Sequence, residues 1–211
     1  MSGALARQEQ QTPISVSNSP LVLSDIYQPG INFAIWDRAL GAELKQDVDR
    51  LMLQKQLFSF RVILRPEEVS EWLTAQWPGS HLDVFQDDVQ QLVTMFADLF
   101  DLTHVGMRLE CVDKTLCPLF HIDKVMARMV TTYHGPATEW LTEDNINRQA
   151  LKLRDHDRVM RDKSLLQSAT AGNVLLFKGE EWPQENVRGV VHRSAQATAD
   201  NRRLLLTLDL V

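Results

Sequence analysis

The chain has 211 residues, of which 44% are hydrophobic and 24% are charged, and its formal net charge is −6. This length and composition predict one globular domain that can bury a proper core. The acidic balance excludes a nucleic-acid-binding surface, because such a surface needs a concentrated basic patch and the longest one here is the pair Arg202-Arg203.

The sequence also bears on the compartment. No run of about 18 apolar residues is long enough to span a membrane, and the start of the chain lacks the apolar core of a signal peptide. Cys111 and Cys117 are too few for a disulfide framework, so we expect reduced thiols. These features predict a cytoplasmic protein without a membrane partner, and they leave the oligomeric state open.

The N-terminal half divides into an arm and a helical region. Residues 1–22 are rich in Gln, Ser and Pro and are predicted to be a disordered arm. Residues 23–100 are predicted to be a helical support region, which forms one integrated domain (23–211) with the rest of the chain. Its predicted helices cover 37–56, the segment after Pro66 and 87–100, and each shows an apolar stripe at helical spacing.

Residues 101–211 have the short, strand-like runs of a β-rich core. Six such runs are separated by Gly, Pro and polar residues: 105–112, 124–134, 138–141, 173–178, 188–194 and 202–211. A helix is predicted to interrupt them at about 143–160. With the upstream runs 32–36 and 58–64, the count approaches the eight strands of a jelly roll. The predicted fold is α+β, a cupin-like double-stranded β-helix with an N-terminal helical support layer.

A His-x-Asp pair stands at the head of one predicted strand. Residues i and i+2 of a strand point to the same face, so His121 and Asp123 are placed to bind one ion together. His192, on another predicted strand, supplies a third donor. Two imidazoles and one carboxylate leave three positions open on a metal, which is the arrangement of non-haem Fe(II) oxygenases. We therefore predict a metal site at His121, Asp123 and His192.

A second His-x-Asp pair, His81 and Asp83, has a different setting. It lies between Pro78-Gly79-Ser80 and a predicted helix. Asp83 is therefore expected to cap that helix at its N-terminus, rather than to bind metal.

The closing third of the chain resembles the 2-oxoglutarate-dependent Fe(II) oxygenases. The order "GNVLLF", "VHRS", "RRLLLTLDL" carries the resemblance. In that superfamily a basic residue about ten positions after the distal His holds the far carboxylate of 2-oxoglutarate, which implies this role for Arg203 or Arg202. Strand alternation groups Arg203 with Thr207 on the more polar face, so Arg203 is preferred. Tyr133, on the alternation face of His121 and Asp123, is a further candidate for contact with the cofactor.

A second resemblance covers most of the chain. The segments "LSDIYQPGINFAIWDR", "CPLFHIDKVMARMVTTYHGPATEWL" and "LLFKGEEWP" with "VHRS" and "RRLLLTLD" resemble a bacterial family known as domain of unknown function 1826. Ala137 and Ala195 stand where its members more often have Gly and Pro, which affects loop geometry and no proposed ligand. The family's genomic association with zinc homeostasis implies that a zinc role stays open.

These observations lead to a preferred function and two alternatives. The preferred one is a 2-oxoglutarate/Fe(II)-dependent oxygenase-like enzyme that hydroxylates a small molecule or a protein side chain, with Fe(II) and 2-oxoglutarate as cofactors. The first alternative is a non-catalytic, zinc-binding, cupin-like protein of metal homeostasis that uses the same three residues, with Cys117 as a further candidate ligand. The second is an interaction domain in which the metal pattern is a relic.

Overall fold

The computed structural model describes residues 14–54, 56–183 and 187–211. The first thirteen residues of the predicted arm therefore lie outside the described part of the chain. Within the described residues, no helix is long and apolar enough to cross a membrane.

The described residues contain ten strands, which form a large sheet and a small one. The large sheet has the order β1-β2-β8-β5-β10-β4-β3, and the small sheet has the order β7-β6-β9. The strands are β1 (Ile14–Ser17), β2 (Phe33–Trp36), β3 (Phe58–Leu64), β4 (Val105–Val112), β5 (Ala127–His134), β6 (Glu139–Trp140), β7 (Gln167–Ser168), β8 (Val174–Lys178), β9 (His192–Arg193) and β10 (Arg203–Leu210). Among these ten strands, β1 and β2 pair in parallel, and the other pairs are antiparallel.

Three helices cover one face of the large sheet: α1 (Ala42–Leu53), α2 (Val69–Gln76) and α3 (Asp83–Phe100). The predicted stripe of α1 is buried at Leu44, Val48 and Leu51, and α3 buries its own stripe in the same core. Strand alternation sends Leu204, Leu206 and Leu208 of β10 into this core. The opposite face of the large sheet is therefore the one that is free to form a site.

The N-terminus of α3 is capped by a residue that the sequence did not indicate. The carboxylate of Asp47 on α1 accepts hydrogen bonds from the backbone N–H groups of Val84 and Phe85, at 3.0 and 3.2 Å. Asp83 was predicted to be this cap, and that prediction is wrong: it is the first residue of the helix itself. The cap comes from another helix because α1 and α3 pack side by side.

The disordered-arm prediction is wrong for residues 14–22. Ile14–Ser17 form β1, and Pro20–Tyr27 form a 3-10 helix in which Val22, Leu23 and Ile26 are buried. Polar composition was misleading here, because Val16 and Leu21 point to solvent and Val22 is the one residue of 14–22 that is fully buried. The strand is held by its register on β2, not by its own hydrophobicity.

The mixed α+β class is confirmed, and the arrangement of strands and helices differs from the prediction in two ways. The large sheet takes β1, β2 and β3 from the first hundred residues, so the strand-rich core is not confined to 101–211. The helix predicted at 143–160 is broken into short pieces, of which α4 (Arg148–Leu153) is the longest. Asn147 caps α4, and Arg154 ends it in the left-handed region, so the polar sequence supports one turn and a half rather than a full helix.

Candidate metal centre

His121 and His192 are brought together by their own backbones. The N–H of each residue donates to the carbonyl oxygen of the other at 3.0 Å, forming an isolated antiparallel bridge next to β9. Their imidazole rings lie with centroids 4.5 Å apart, and the His192 ring also packs against Phe177. The pairing of two distant segments therefore fixes both rings on one side of the bridge.

Asp123 reaches the same place from a loop. The strand predicted over 124–134 begins at Ala127, so residues 121 and 123 do not share a strand face as the alternation argument assumed. The loop is instead tied to the turn after β8: the N–H of Glu180 donates to the carbonyl of Asp123 at 2.9 Å, and that of Gly179 to the carbonyl of Met126 at 3.0 Å. A Cβ on Gly179 would lie 2.1 Å from the carbonyl oxygen of Val125, so only glycine permits this contact.

The three side chains present donor atoms to a common point. One donor atom from each of His121, Asp123 and His192 lies within 4.8 Å of the others, and this is the only such group of three or more among the described residues. Asp123 Oδ1 lies 3.4 Å from His121 Nε2, and its Oδ2 lies 3.3 Å from His192 Nε2. The geometry is that of three donors around a single cation.

The backbone sets the tautomer of both rings. Nδ1 of His121 lies 2.9 Å from the carbonyl oxygen of Leu119, and Nδ1 of His192 lies 3.1 Å from that of Val190. A carbonyl oxygen only accepts, so each Nδ1 carries the proton and donates it. Each Nε2 lone pair is then free to bind a cation, which is the usual outer-shell arrangement for a metal-binding histidine.

The electrostatics favour an ionised carboxylate at this point. Burial by itself raises the pKa of Asp123, but contacts with His121 and His192 and the nearby charge of Arg128 outweigh it and hold that pKa far below its ordinary range. The contact with Asp123 raises the pKa of His121, and burial partly opposes the increase. The centre therefore attracts positive charge, either a proton on His121 or a cation.

The centre opens into a pocket on the face of the large sheet that the helices leave free. His121 and His192 line it, together with the polar residues Arg203, Thr207 and Glu110. Arg203 is 1% exposed, and its Nε and Nη1 have no hydrogen-bond partner among the described residues. Burial lowers the pKa of this guanidinium, and the carboxylates of Glu139 and Glu110 only partly oppose that effect.

The two neighbouring arginines separate as strand alternation predicts. Arg203 and Thr207 line the pocket. Arg202 turns away and donates from Nη2 to the carbonyl of Met52 at 2.7 Å, so the structure does not bring it to the site. Gly135 allows this arrangement, because its positive φ of 83° brings its Cα against the carbonyl of Arg202, where a Cβ would lie only 2.0 Å away.

Tyr133 does not face the centre, and its predicted contact with the cofactor is wrong. Its hydroxyl donates to Asp88 Oδ2 at 2.7 Å on the helix-covered face of the sheet, where Asp88 also pairs with both terminal nitrogens of Arg38. Burial raises the pKa of this tyrosine well above its ordinary value. The prediction assumed that an extended strand runs from His121 to Tyr133, so that odd-numbered residues share a face. The chain is not extended between His121 and β5, so this alternation does not hold.

Arg128 was missed by the sequence argument. Its Nη1 lies 2.6 Å from Asp123 Oδ2, and it lines the pocket. The available signal was an arginine within the apolar run "VMARMV". Cys117, the further candidate ligand of the zinc-binding alternative, is exposed and lines the same pocket.

An α+β fold whose open sheet face carries a His-Asp-His cluster beside a buried arginine defines a candidate metalloprotein. The chain belongs to a family of proteins of unknown function, DUF1826, whose model matches residues 17–209. A search of curated proteins finds no match.

Among solved structures, the chain is similar to a prolyl-4-hydroxylase from Pseudomonas putida, at 14% identity and a TM-score of 0.44 over 89% of this chain and 95% of that one. It is also similar to a candidate oxygenase from Shewanella oneidensis, at 10% identity and a TM-score of 0.49 over 94% and 89%. A third is a candidate 2OG-Fe(II) oxygenase family protein from Caulobacter crescentus, at 12% identity and a TM-score of 0.43 over 84% and 76%.

Proposed function

We propose that this protein is a 2-oxoglutarate- and Fe(II)-dependent oxygenase that hydroxylates a small molecule or a protein side chain, on a double-stranded β-helix formed by its two sheets. The observation that carries the proposal is the placement of Arg203. A buried guanidinium with two unpartnered nitrogens lines the same pocket as His121 and His192. A buried charge without a partner is costly, so its presence indicates an anionic ligand that completes it.

The donor set fits the metal. Imidazole suits several first-row metals, and two imidazoles with one carboxylate on one side of an ion are typical of non-haem Fe(II) oxygenases. His121, Asp123 and His192 would hold the ion, with each imidazole oriented by a backbone carbonyl. When bound, Fe(II) would supply the site for activating dioxygen with electrons from 2-oxoglutarate.

The charges around the centre fit a dicarboxylate. Asp123 and Asp209 are contacted by Arg128 and Arg108, so these four side chains sum to zero charge. A divalent cation between neutral imidazoles then leaves a net charge of about +2, because the charge of Arg203 is offset by the carboxylate of Glu110 in the same pocket. One carboxylate of 2-oxoglutarate would meet the cation, and the other would accept hydrogen bonds from the Arg203 guanidinium, for which a bidentate geometry is well suited.

The partners of the proposed enzyme are a small-molecule or protein substrate, and not a nucleic acid. The guanidinium groups of Arg108, Arg128 and Arg193 that line the pocket are each paired with a carboxylate, so they do not form a basic track for a phosphate backbone. Cys111 and Cys117 are both free, as the proposed cytoplasmic location would require.

The zinc-binding alternative is favoured by one observation. Cys117 is exposed on the pocket wall, where a thiolate would be a ligand for zinc rather than for Fe(II). Its sulfur is not part of the group of mutually close donor atoms, which consists of His121, Asp123 and His192. A zinc site using Cys117 would therefore require the loop around it to move.

The test is an anaerobic titration of the full-length protein with Fe(II) and then with 2-oxoglutarate. We expect a visible metal-to-ligand charge-transfer band that saturates with 2-oxoglutarate. Arg203→Gln should weaken 2-oxoglutarate binding by about 10- to 100-fold, since a hydrogen bond to a charged group contributes about 1.5–3 kcal/mol. Arg202→Gln is the matched control and should leave that affinity unchanged, because Arg202 turns away from the pocket.

Two results would contradict the proposal. One is an Fe(II) complex of the wild-type protein that shows no band and no binding of 2-oxoglutarate. The other is preferential retention of zinc together with loss of zinc affinity in Cys117→Ser, which would favour the zinc-binding alternative.

A further inference from the structure

Arg128 lies against the carboxylate of the candidate centre and is itself firmly held. Its Nη1 is 2.6 Å from Asp123 Oδ2, and its Nε donates to Asp209 Oδ1 at 2.6 Å. The other oxygen of Asp209 accepts from Arg108 Nη2 at 2.9 Å. The side chains of Arg108, Arg128 and Asp209 are each about one-fifth exposed, at 22%, 17% and 20%. A chain of ion pairs therefore runs from Asp123 at the candidate centre through Arg128 and Asp209 to Arg108. It crosses three neighbouring strands, β5, β10 and β4.

The strand register fixes this chain in place. Asp209 on β10 stands directly opposite Arg128 on β5, and Arg108 lies on β4, the other neighbour of β10. Cross-strand side chains at directly opposed positions are close enough to pair, with Cβ atoms about 5 Å apart. The guanidinium of Arg128 is thus oriented by the sheet before it meets the Asp123 loop.

We infer that Arg128 is a positioning residue that limits Asp123 to one-oxygen binding of a cation. Its ion pair places a positive charge against Oδ2, which accepts no hydrogen bond from the described residues, and so favours Oδ1 as the oxygen available to an ion. With two imidazoles, a single carboxylate oxygen keeps three positions of a six-coordinate ion open. If Asp123 bound through both oxygens, one of these positions would be lost. The inference rests on the metal centre of the proposed function.

The competing interpretation is that Arg128 takes the place of a cation and has no role beside it. The hydrogen bond from Nε to Asp209 argues against this, because it holds Arg128 independently of Asp123. Asp209 also supplies the negative charge that offsets the repulsion between a guanidinium and a nearby divalent ion. The two interpretations predict different results when Arg128 is replaced. If Arg128 is a positioning residue, the bound ion loses one of its three open coordination positions; otherwise it keeps all three.

The experiment counts exchangeable water on Mn²⁺ bound to the full-length protein, by water-proton relaxation. Mn²⁺ accepts imidazole and oxygen ligands and needs no cosubstrate, so the readout is independent of activity. Arg128→Gln should lower the inner-sphere relaxation by about one third, from three waters to two. Arg128→Lys keeps a cation beside Asp123 and should retain most of the relaxation of the wild type.

The matched control is Arg108→Gln. Arg108 also lines the pocket and also binds Asp209, but the contact with Asp123 belongs to Arg128. The relaxation of bound Mn²⁺ should therefore be unchanged in this variant. If Arg128→Gln does not fold, Asp209→Asn loosens the same guanidinium from its other side and should give a smaller decrease in the same direction.

Wild-type relaxation in both Arg128→Gln and Asp209→Asn would overturn the inference and leave the metal centre intact. Failure of the wild-type protein to bind Mn²⁺ would overturn it together with the proposed function. A normal Mn²⁺ result, combined with no response of the Fe(II) protein to 2-oxoglutarate, would support the role of Arg128 and contradict only the proposed cosubstrate.

Discussion

Arg203, the first residue of β10, and Arg202 just before it illustrate how one residue of offset decides the role of a side chain. Successive strand residues point to opposite faces, so Arg203 enters the pocket while Arg202 donates to the carbonyl of Met52. The difference in environment is large: Arg203 is almost fully buried with two nitrogens unpartnered, whereas Arg202 has a backbone acceptor within hydrogen-bond distance. A slip of one residue in the register of β10 would exchange these environments and remove the guanidinium from the pocket.

Replacing Tyr133 by Phe tests the assignment of this residue to the core. We expect Tyr133→Phe to lower the free energy of unfolding by about 1–2 kcal/mol, because Asp88 loses one buried hydrogen-bond donor while Arg38 still holds it. Urea denaturation measures the change. Metal and 2-oxoglutarate affinities should not change.

Tyr27→Phe is the control for that substitution, since the Tyr27 hydroxyl donates to the carbonyl of Leu99 at an exposed position. Its effect on stability should be below about 0.5 kcal/mol. Weakened cofactor binding in Tyr133→Phe at unchanged stability would show instead that this hydroxyl contacts the ligand.

Most residues of the candidate site could be predicted from the sequence, although the argument that His121 and Asp123 share a strand face was wrong. His121, Asp123 and His192 converge as predicted, but through a backbone bridge and a glycine-dependent loop contact rather than through a shared strand. Such contacts join residues that are distant in the sequence, and local periodicity cannot reveal them. The same limitation hid Arg128, whose role depends on a register between β5 and β10 that only the folded sheet defines.

At the scale of elements, the apolar stripes predicted the positions of the helices well, but they predicted the residues at which the helices begin and end less accurately. α1 begins at Ala42, five residues after the start of the predicted helix, because Gly41 is the N-cap and Leu40 lies before the helix. α3 begins earlier than predicted, at Asp83, because Asp47 satisfies its first N–H groups from a neighbouring helix. β3 matched its predicted boundaries, since alternation and turn residues define them locally. Ends that depend on tertiary contacts were the ones missed.

The assignment of the α3 cap can be tested by comparing the stability effects of replacing Asp47 and Asp83. Asp47→Ala should lower the free energy of unfolding by about 1–2 kcal/mol, because two N–H groups of the first turn lose their acceptor. Asp83→Ala should cost less than about 0.5 kcal/mol, since it removes only a favourable charge near the helix dipole. Thermal and urea unfolding of the two variants measure the difference. Equal losses, or a larger loss in Asp83→Ala, would contradict the assignment of the cap.

At the scale of the whole molecule, the helical layer and the large sheet form one unit. Residues of α1, α2 and α3 share a single core cluster with β4, β5, β8 and β10. The strands that flank the two ends of the sheet, β1 and β3, both come from the region that was predicted to be arm or helical support. The class of fold was predictable from strand-like and helix-like runs. The strand order was not, because it depends on pairings across more than a hundred residues.

Shortening the chain tests whether the N-terminal segment is part of this unit. A protein that begins at residue 23 lacks β1 and the buried Val22, and we expect it to lose at least about 2 kcal/mol of stability. A protein that begins at residue 14 keeps both features and is the reference. Urea midpoints that coincide for the two proteins would show that residues 14–22 add nothing to the fold.

The position of β10 has a consequence for biosynthesis. This strand lies between β5 and β4, so without it the large sheet consists of two separate pieces. A nascent chain that has not yet produced residue 203 therefore exposes two unpaired edges, each eight residues long, and such edges are templates for aggregation. A chain truncated before this strand would be expected to accumulate as inclusion bodies or to be degraded, rather than to persist as a partly working protein.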